Sequence, residues 1–304
     1  MGIQEREMPM RFPRRNRPTP WLGGVLLLCA SAAGQERGFY FYPRLDATRN
    51  ELGWIARLDA AAGYNFNRHF ALEAGLPGYI VRPSGASAGG PTLPRATGAG
   101  NLHVTARLTI STSLLSYLGA LTVTAPTGDK DKGLSTGKVT WDWNNHFERS
   151  FGTVTPFGAL GVANTVSDTP FFVRPFISQG RVTRLEGGAR WSLARRLSAG
   201  ALLYTIQPSG QQTVISRVMP ANIAAKPGLL PGRRRGRGVF EFAPTTVGPA
   251  EIVRDRGGSL WVSMGPFGLL DFQVGYSRSI TYALDTVFFG AGVNVGSLIQ
   301  QRRL

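Results

Sequence analysis

The chain of 304 residues has one cysteine, three histidines and 17% charged side chains, and its 18 acidic residues face 34 basic ones. Each shortage excludes something. Cys29 lies in an apolar stretch near the N-terminus, so the chain beyond it has no means of forming a disulfide, a thiolate nucleophile or a cysteine-based zinc site. Charge is sparse for a soluble globule, where about a quarter of the residues is usual. No apolar run reaches the roughly 20 residues of a membrane-spanning helix. The longest covers residues 21–33.

That run follows Arg14, Arg15 and Arg17 and ends in Ala30-Ser31-Ala32-Ala33-Gly34. A basic segment, a short apolar segment and small residues at its end form a secretory signal peptide. Residues 1–34 are therefore read as the signal, with Met10 as an alternative start, and residues 35–304 as the exported domain. The competing readings are a short buried helix and a lipoprotein site at Leu28-Cys29, which lacks the small residue wanted before the cysteine.

What the chain has in quantity is glycine, 39 residues of it, and strict alternation. The stretch 100–165 sets the pattern. Leu102, Val104, Ala106, Leu108 and Ile110 alternate with His103, Thr105, Arg107, Thr109 and Ser111. Alternation over this length marks a strand with two different faces. Sandwich strands also alternate but are typically about 5–6 residues long. Strands of about 9–11 residues, apolar on one side and polar on the other, suit a transmembrane barrel.

Two further regularities favour the barrel over a sandwich. Arg57, Asp59, Glu73, Arg107, Asp142, Arg184, Glu186, Arg190 and Asp271 all fall opposite the bulky apolar residues of their strands. A lipid-facing wall must exclude them, because Arg or Lys at mid-depth costs about 2–4 kcal/mol. The connections also alternate. Twelve candidate strands can be counted from residue 38, with short turns around Asn65, Thr112, Arg149, Arg195 and Pro266 and long loops between the others. The expectation is an all-β fold, a transmembrane antiparallel up-and-down β-barrel of about twelve strands. Its longest outer loop is expected over 208–257. The segment 153–164 is too uniformly small and apolar for its faces to be assigned.

Several segments carry a family resemblance: Phe70–Ile80 (FALEAGLPGYI), Gly98-Ala99-Gly100-Asn101, Thr124-Ala125-Pro126-Thr127-Gly128-Asp129, and Phe151-Gly152 followed by Val154-Thr155-Pro156-Phe157. The chain resembles here the outer-membrane proteins grouped as the MetA-pathway phenol-degradation transporter family. The resemblance covers roughly residues 52–164. It implies a barrel inserted by the outer-membrane assembly machinery and uptake of aromatic compounds.

The chemistry available is limited. His69, His103 and His146 lie on three different candidate strands, so no pair has ligand spacing on one element, and neither a metal nor a cofactor is expected. A barrel hydrolase would need a His beside a Ser and an acid where lipid reaches them. All three histidines point inward by parity, and the chain is not read as an enzyme. Gly128-Asp129-Lys130-Asp131-Lys132-Gly133 resembles half a calcium loop but lacks the distal Glu, so it is read as a polar outer loop.

The candidate constriction is then Arg57, Asp59, Glu73, His103, Arg107, Asp142, His146, Arg184, Glu186, Arg190 and Asp271, either a charge filter or a set of self-neutralising pairs filling a narrow lumen. Arg233, Arg234, Arg235 and Arg237 form a basic cluster in a Pro- and Gly-rich loop without interleaved aromatics. Such a cluster suits anionic lipid headgroups, lipopolysaccharide included, better than nucleic acid. The expected function is an outer-membrane channel or transporter for passive passage of small solutes, hydrophobic or aromatic ones among them. The alternatives are a structural or surface-interaction barrel with a plugged lumen, and a secreted soluble β-protein that binds polyanions.

Overall fold

The computed structural model describes residues 37–51, 53–84, 95–130, 132, 134–166, 177–215, 245–248, 253–267, 270–293 and 295. The signal peptide expected over 1–34, with Cys29 and Met10, lies outside them, as do Arg233, Arg234, Arg235 and Arg237.

The alternating segments become β1 (Gly38–Asn50), β2 (Gly53–Asn65), β3 (Phe70–Pro83), β4 (Ala96–Ala99), β5 (His103–Ser111), β6 (Ser116–Thr124), β7 (Thr140–Glu148) and β8 (Val154–Thr165). The rest of the chain adds β9 (Ile177–Ala194), β10 (Leu197–Pro208), β11 (Gln212–Ile215), β12 (Thr245–Gly248), β13 (Asp255–Phe267), β14 (Leu270–Ser279) and β15 (Leu284–Val293). Around the wall every pairing is antiparallel: β1 with β2, β2 with β3, β3 with β5, β5 through β10 in turn, β10 with β13, β13 through β15 in turn, and β15 with β1, so the sheet closes on itself. Twelve strands make the wall: β1, β2, β3, β5 to β10, and β13 to β15. Closure removes the unpaired edges that backbone groups cannot tolerate in lipid.

The other three strands extend the wall at its long-loop end. β4 continues the line of β5 along β3 beyond a bulge at 100–102, since the pairs run Gly75↔His103 and then Gly78↔Ala99. A bulge of one residue switches which side chains face inward. Pro77 sits opposite it. A strand residue's N–H and C=O point to the same neighbour, and the Pro77 carbonyl accepts from Gly100 N–H at 2.7 Å, so the donor proline lacks is missing on the bulged side, where a central strand tolerates it. β11 continues β10 in the same way, pairing with the start of β9, and β12 pairs onto β11. The segment 208–257 is thus sheet in part.

The outer face is apolar, with Leu58, Leu72, Ile80, Leu121, Leu160, Leu203 and Leu260 all exposed. Aromatic rings edge it at the short-turn end, where Phe39, Tyr64, Phe66 and Phe70 form a chain with successive centroids 4.7, 5.1 and 5.4 Å apart. Trp54 and Trp141 stand at the long-loop ends of β2 and β7. Such girdles flank the hydrocarbon zone of membrane barrels.

Candidate functional site

The site is the inner face of the barrel, and two sectors of it differ. The first spans β14, β1, β2, β3 and β5. Arg44 Nε donates to Asp46 Oδ1 at 2.8 Å, and its Nη2 reaches Gln273 at 3.4 Å. The Tyr42 hydroxyl donates to Asp271 at 2.8 Å. The Tyr40 hydroxyl donates to Glu73 at 2.7 Å and accepts from Arg107 Nη2 at 2.9 Å. Arg57 is paired with Asp59, and His103 Nε2 lies 3.8 Å from the same carboxylate. Contacts of this kind reach over two or three strands, which is possible only across a narrow concave face.

The second sector spans β7, β8 and β9. Arg184 divides its guanidinium between Glu186 at 3.2 Å and Asp142 at 3.8 Å. Arg190 Nη2 lies 3.5 Å from Glu148, whose carboxylate is also 3.4 Å from His146. The His146 ring stacks on Phe157 at 5.4 Å, and Phe157 lies 6.1 Å from Trp261 of β13. Side chains of Asp142, Arg184, Glu148 and Arg190 remain 28–39% exposed, with Glu186 and His146 at 6% and 19%, whereas the paired charges of the first sector are 10–25% exposed. Water therefore reaches the second sector more freely.

Toward the long-loop end the lumen turns apolar. Ile55, Tyr79, Val81, Ala96, Leu134, Val182, Tyr204, Ile206, Val253, Trp261, Tyr282, Leu284 and Phe288 belong to one buried cluster. Several of these rings lie flat against the wall because the facing residue of a neighbouring strand is glycine. Trp261 covers Gly200, Phe288 covers Gly275 and Tyr79 covers Gly100, and none of those positions has room for a Cβ.

Leu134 comes from the loop 125–139, which folds back over the inner side of β4 until this leucine is fully buried against Gly98. The Asn101 side chain accepts from Gly128 N–H at 3.1 Å. Thr127 Oγ1 accepts from Leu102 N–H at 2.8 Å and donates to the Gly100 carbonyl at 3.3 Å. The Gly98–Asn101 and Thr124–Asp129 motifs thus latch onto one another. The loop read from sequence as simply polar and outer carries an apolar anchor at its end.

All eleven residues of the expected constriction lie on the sectors just described: Arg57, Asp59, Glu73, His103, Arg107 and Asp271 on the first, Asp142, His146, Arg184, Glu186 and Arg190 on the second. Sequence reasoning missed Arg44, Asp46, Tyr40, Tyr42 and Glu148. His69 stands apart in the β2–β3 turn, with Nδ1 2.9 Å from the Thr109 carbonyl. Among the described residues no three His, Cys, Asp or Glu side chains gather as a metal-binding group.

No protein-family model and no curated protein matches the sequence. Among solved structures, the chain is similar to an outer membrane channel from Pseudomonas putida F1, with 11% identity, 86% of this chain and 96% of that one covered, and a TM-score of 0.54. It is also similar to the KdgM porin, with 9% identity, coverage of 83% and 98% and a TM-score of 0.46. A third likeness is to the transport unit of the autotransporter AIDA-I from Escherichia coli, with 8% identity, coverage of 88% and 92% and a TM-score of 0.46. The first of these likenesses is one of fold: a closed, antiparallel, twelve-stranded β-barrel of the outer-membrane type.

Proposed function

We propose that the protein is a bacterial outer-membrane channel through which small solutes pass passively. The observation that carries this reading is the water-accessible charged sector on β7 to β9 inside a closed wall. A narrow barrel built only as a scaffold would bury its inner charges throughout. Exported under its signal peptide and inserted by the barrel assembly machinery, the chain stands among outer-membrane lipid and lipopolysaccharide with its long loops outward.

The motifs over residues 52–164 that resemble the MetA-pathway phenol-degradation transporters support hydrophobic or aromatic compounds as solutes, with no enzymatic step. Of the eleven-residue constriction, the members on β7 and β9 (Asp142, His146, Arg184, Glu186 and Arg190), extended by Glu148, act as the filter, while Arg57, Asp59, Glu73, His103, Arg107 and Asp271, with Arg44 and Asp46, brace the wall. The loop anchored by Leu134 narrows the outer mouth. The basic cluster Arg233, Arg234, Arg235 and Arg237 suits anionic headgroups better than nucleic acid.

Purified protein in planar bilayers should give discrete conductance steps, and proteoliposomes should take up small aromatic solutes. A barrel that folds, shows heat-modifiable mobility in detergent gels and passes neither ions nor solutes would sink the channel. It would favour the second reading, a plugged surface barrel, which the buried apolar cluster around Leu134 and Val253 supports.

A further inference from the structure

The lipid-facing wall ends differently on its two rims. On the six consecutive strands from β13 to β3, the outward-facing position at the long-loop end is charged or aromatic: Arg256, Arg278, Asp285, Arg49, Trp54 and Arg82 in turn. Arg278 pairs with Asp285, Arg49 with Trp54, and Trp54 with Arg82, while Arg256 stands two residues from Gly258, the partner of Arg278, and Arg49 pairs with Val287, two residues from Asp285.

The four arginines are exposed, and Arg82 follows the lipid-facing Ile80 by two positions. The Arg82 guanidinium lies over the Trp54 ring, 5.1 Å from its centroid, which holds it at the level where indoles mark the membrane interface. Arg278 Nη1 donates to both Asp285 carboxylate oxygens, at 2.8 and 2.7 Å, and the side chain remains 50% exposed.

Elsewhere the rims read otherwise. At the long-loop end, β5 to β7 present Leu102, Val123, Val139 and Trp141 to the outside. At the short-turn end, the strands β1 to β3 carry Phe39, Tyr64, Phe66 and Phe70. Exposed arginines also stand in the short turns (Arg68, Arg149, Arg195 and Arg196) and at Arg181 of β9, so what sets this rim apart is the run over six adjacent strands.

We infer that this arc is a docking site for a lipid whose headgroup carries several phosphate groups, in the leaflet on the long-loop side. Guanidinium groups bind phosphate oxygens bidentately and are the side chains suited to that chemistry. Five inter-strand steps span about 24 Å of wall, enough for more than one phosphate to be held at once. The inference rests on the membrane-channel reading for its orientation, while the site itself is independent of any flux.

The test uses the full-length exported protein in detergent, with diphosphoryl lipid A as the probe and fully dephosphorylated lipid A as its control, read by native mass spectrometry and by the thermal midpoint. The diphosphoryl form should be retained and raise the midpoint by several degrees, and the control should do neither. Replacing the four arginines together (Arg49→Gln, Arg82→Gln, Arg256→Gln, Arg278→Gln) should weaken retention at least tenfold. Replacing Arg68→Gln and Arg149→Gln in the short turns should leave it unchanged. If the fourfold variant fails to fold, the single Arg82→Gln should still lose several-fold, and retention by the unaltered protein should fall as salt is raised.

Equal retention of both lipid forms, or full retention by the arginine variants, would overturn the inference. Conductance in phosphatidylcholine bilayers separates the two readings. Current without phosphate preference removes only the lipid site, and phosphate-dependent retention without current removes only the channel.

Discussion

The two inner sectors use the same residue types and do different things with them. On β1 to β5 Arg44 meets Asp46 at 2.8 Å, Arg57 pairs with Asp59, and the Tyr40 hydroxyl bridges Glu73 and Arg107, which stand 3.9 Å apart; their charged side chains are 10–25% exposed. On β7 to β9 the guanidinium–carboxylate separations are 3.2–3.8 Å, and most members face water. On the proposed channel reading the first set is strutwork that braces a narrow wall, and the second is the surface that a passing solute would meet. The lesson is that inward parity alone does not identify a pathway. Exposure within the lumen separates the strut from the filter.

The largest effect expected from breaking this contrast is at Arg44. Arg44→Ala leaves the Asp46 carboxylate buried without its guanidinium, and removing one partner of a buried pair costs about 3–5 kcal/mol. Denaturant unfolding from lipid vesicles should show that loss, with single-channel conductance of the folded fraction unchanged.

Next comes the loop that closes over the outer end of the first sector. Leu134→Ala empties a fully buried site, at about 2–4 kcal/mol, and releases the loop, so conductance should rise while the barrel survives. Asn101→Ala removes the acceptor for Gly128 N–H and should destabilise by about 1–3 kcal/mol with a smaller gain in conductance.

The smallest effect on stability is expected in the second sector. Glu148→Gln and Arg190→Gln should each change stability by less than about 1 kcal/mol, because both groups are hydrated. They should shift the cation-to-anion permeability ratio in opposite directions, toward anions for the first and toward cations for the second, in reversal-potential measurements. A large stability loss at Glu148 would erase the distinction between the sectors.

Much of the wall could be read from the sequence because a barrel strand needs only its period of two and the exclusion of charge from one face. Twelve strands were expected, and twelve form the wall. The misses have physical causes. Arg44 and Asp46 sit in a strand whose tyrosines and phenylalanines occupy both parities, so neither face announced itself. Glu148 is the last residue of β7, one step past the apolar positions that marked the strand.

The faces of β8 needed the fold. There Leu160 is turned out at 40% exposure and Ala159 and Ala163 are buried inside, a choice that small residues on both parities leave open. The latch of Asn101 to Gly128 and of Leu102 to Thr127 joins residues 27 and 25 apart, and nothing in either motif names the other. The loop anchor Leu134 was hidden by the five-residue charged run Asp129–Gly133 before it.

The most direct test of the channel and of its pathway exploits the absence of cysteine beyond Cys29. Single replacements Asp142→Cys and Asp46→Cys would be placed in planar bilayers and treated with a charged, water-soluble thiol reagent while current is recorded. A solute path along β7 to β9 predicts that the reagent cuts the current at Asp142→Cys and leaves it unchanged at Asp46→Cys. No current from either folded variant, or block at Asp46→Cys alone, would contradict it.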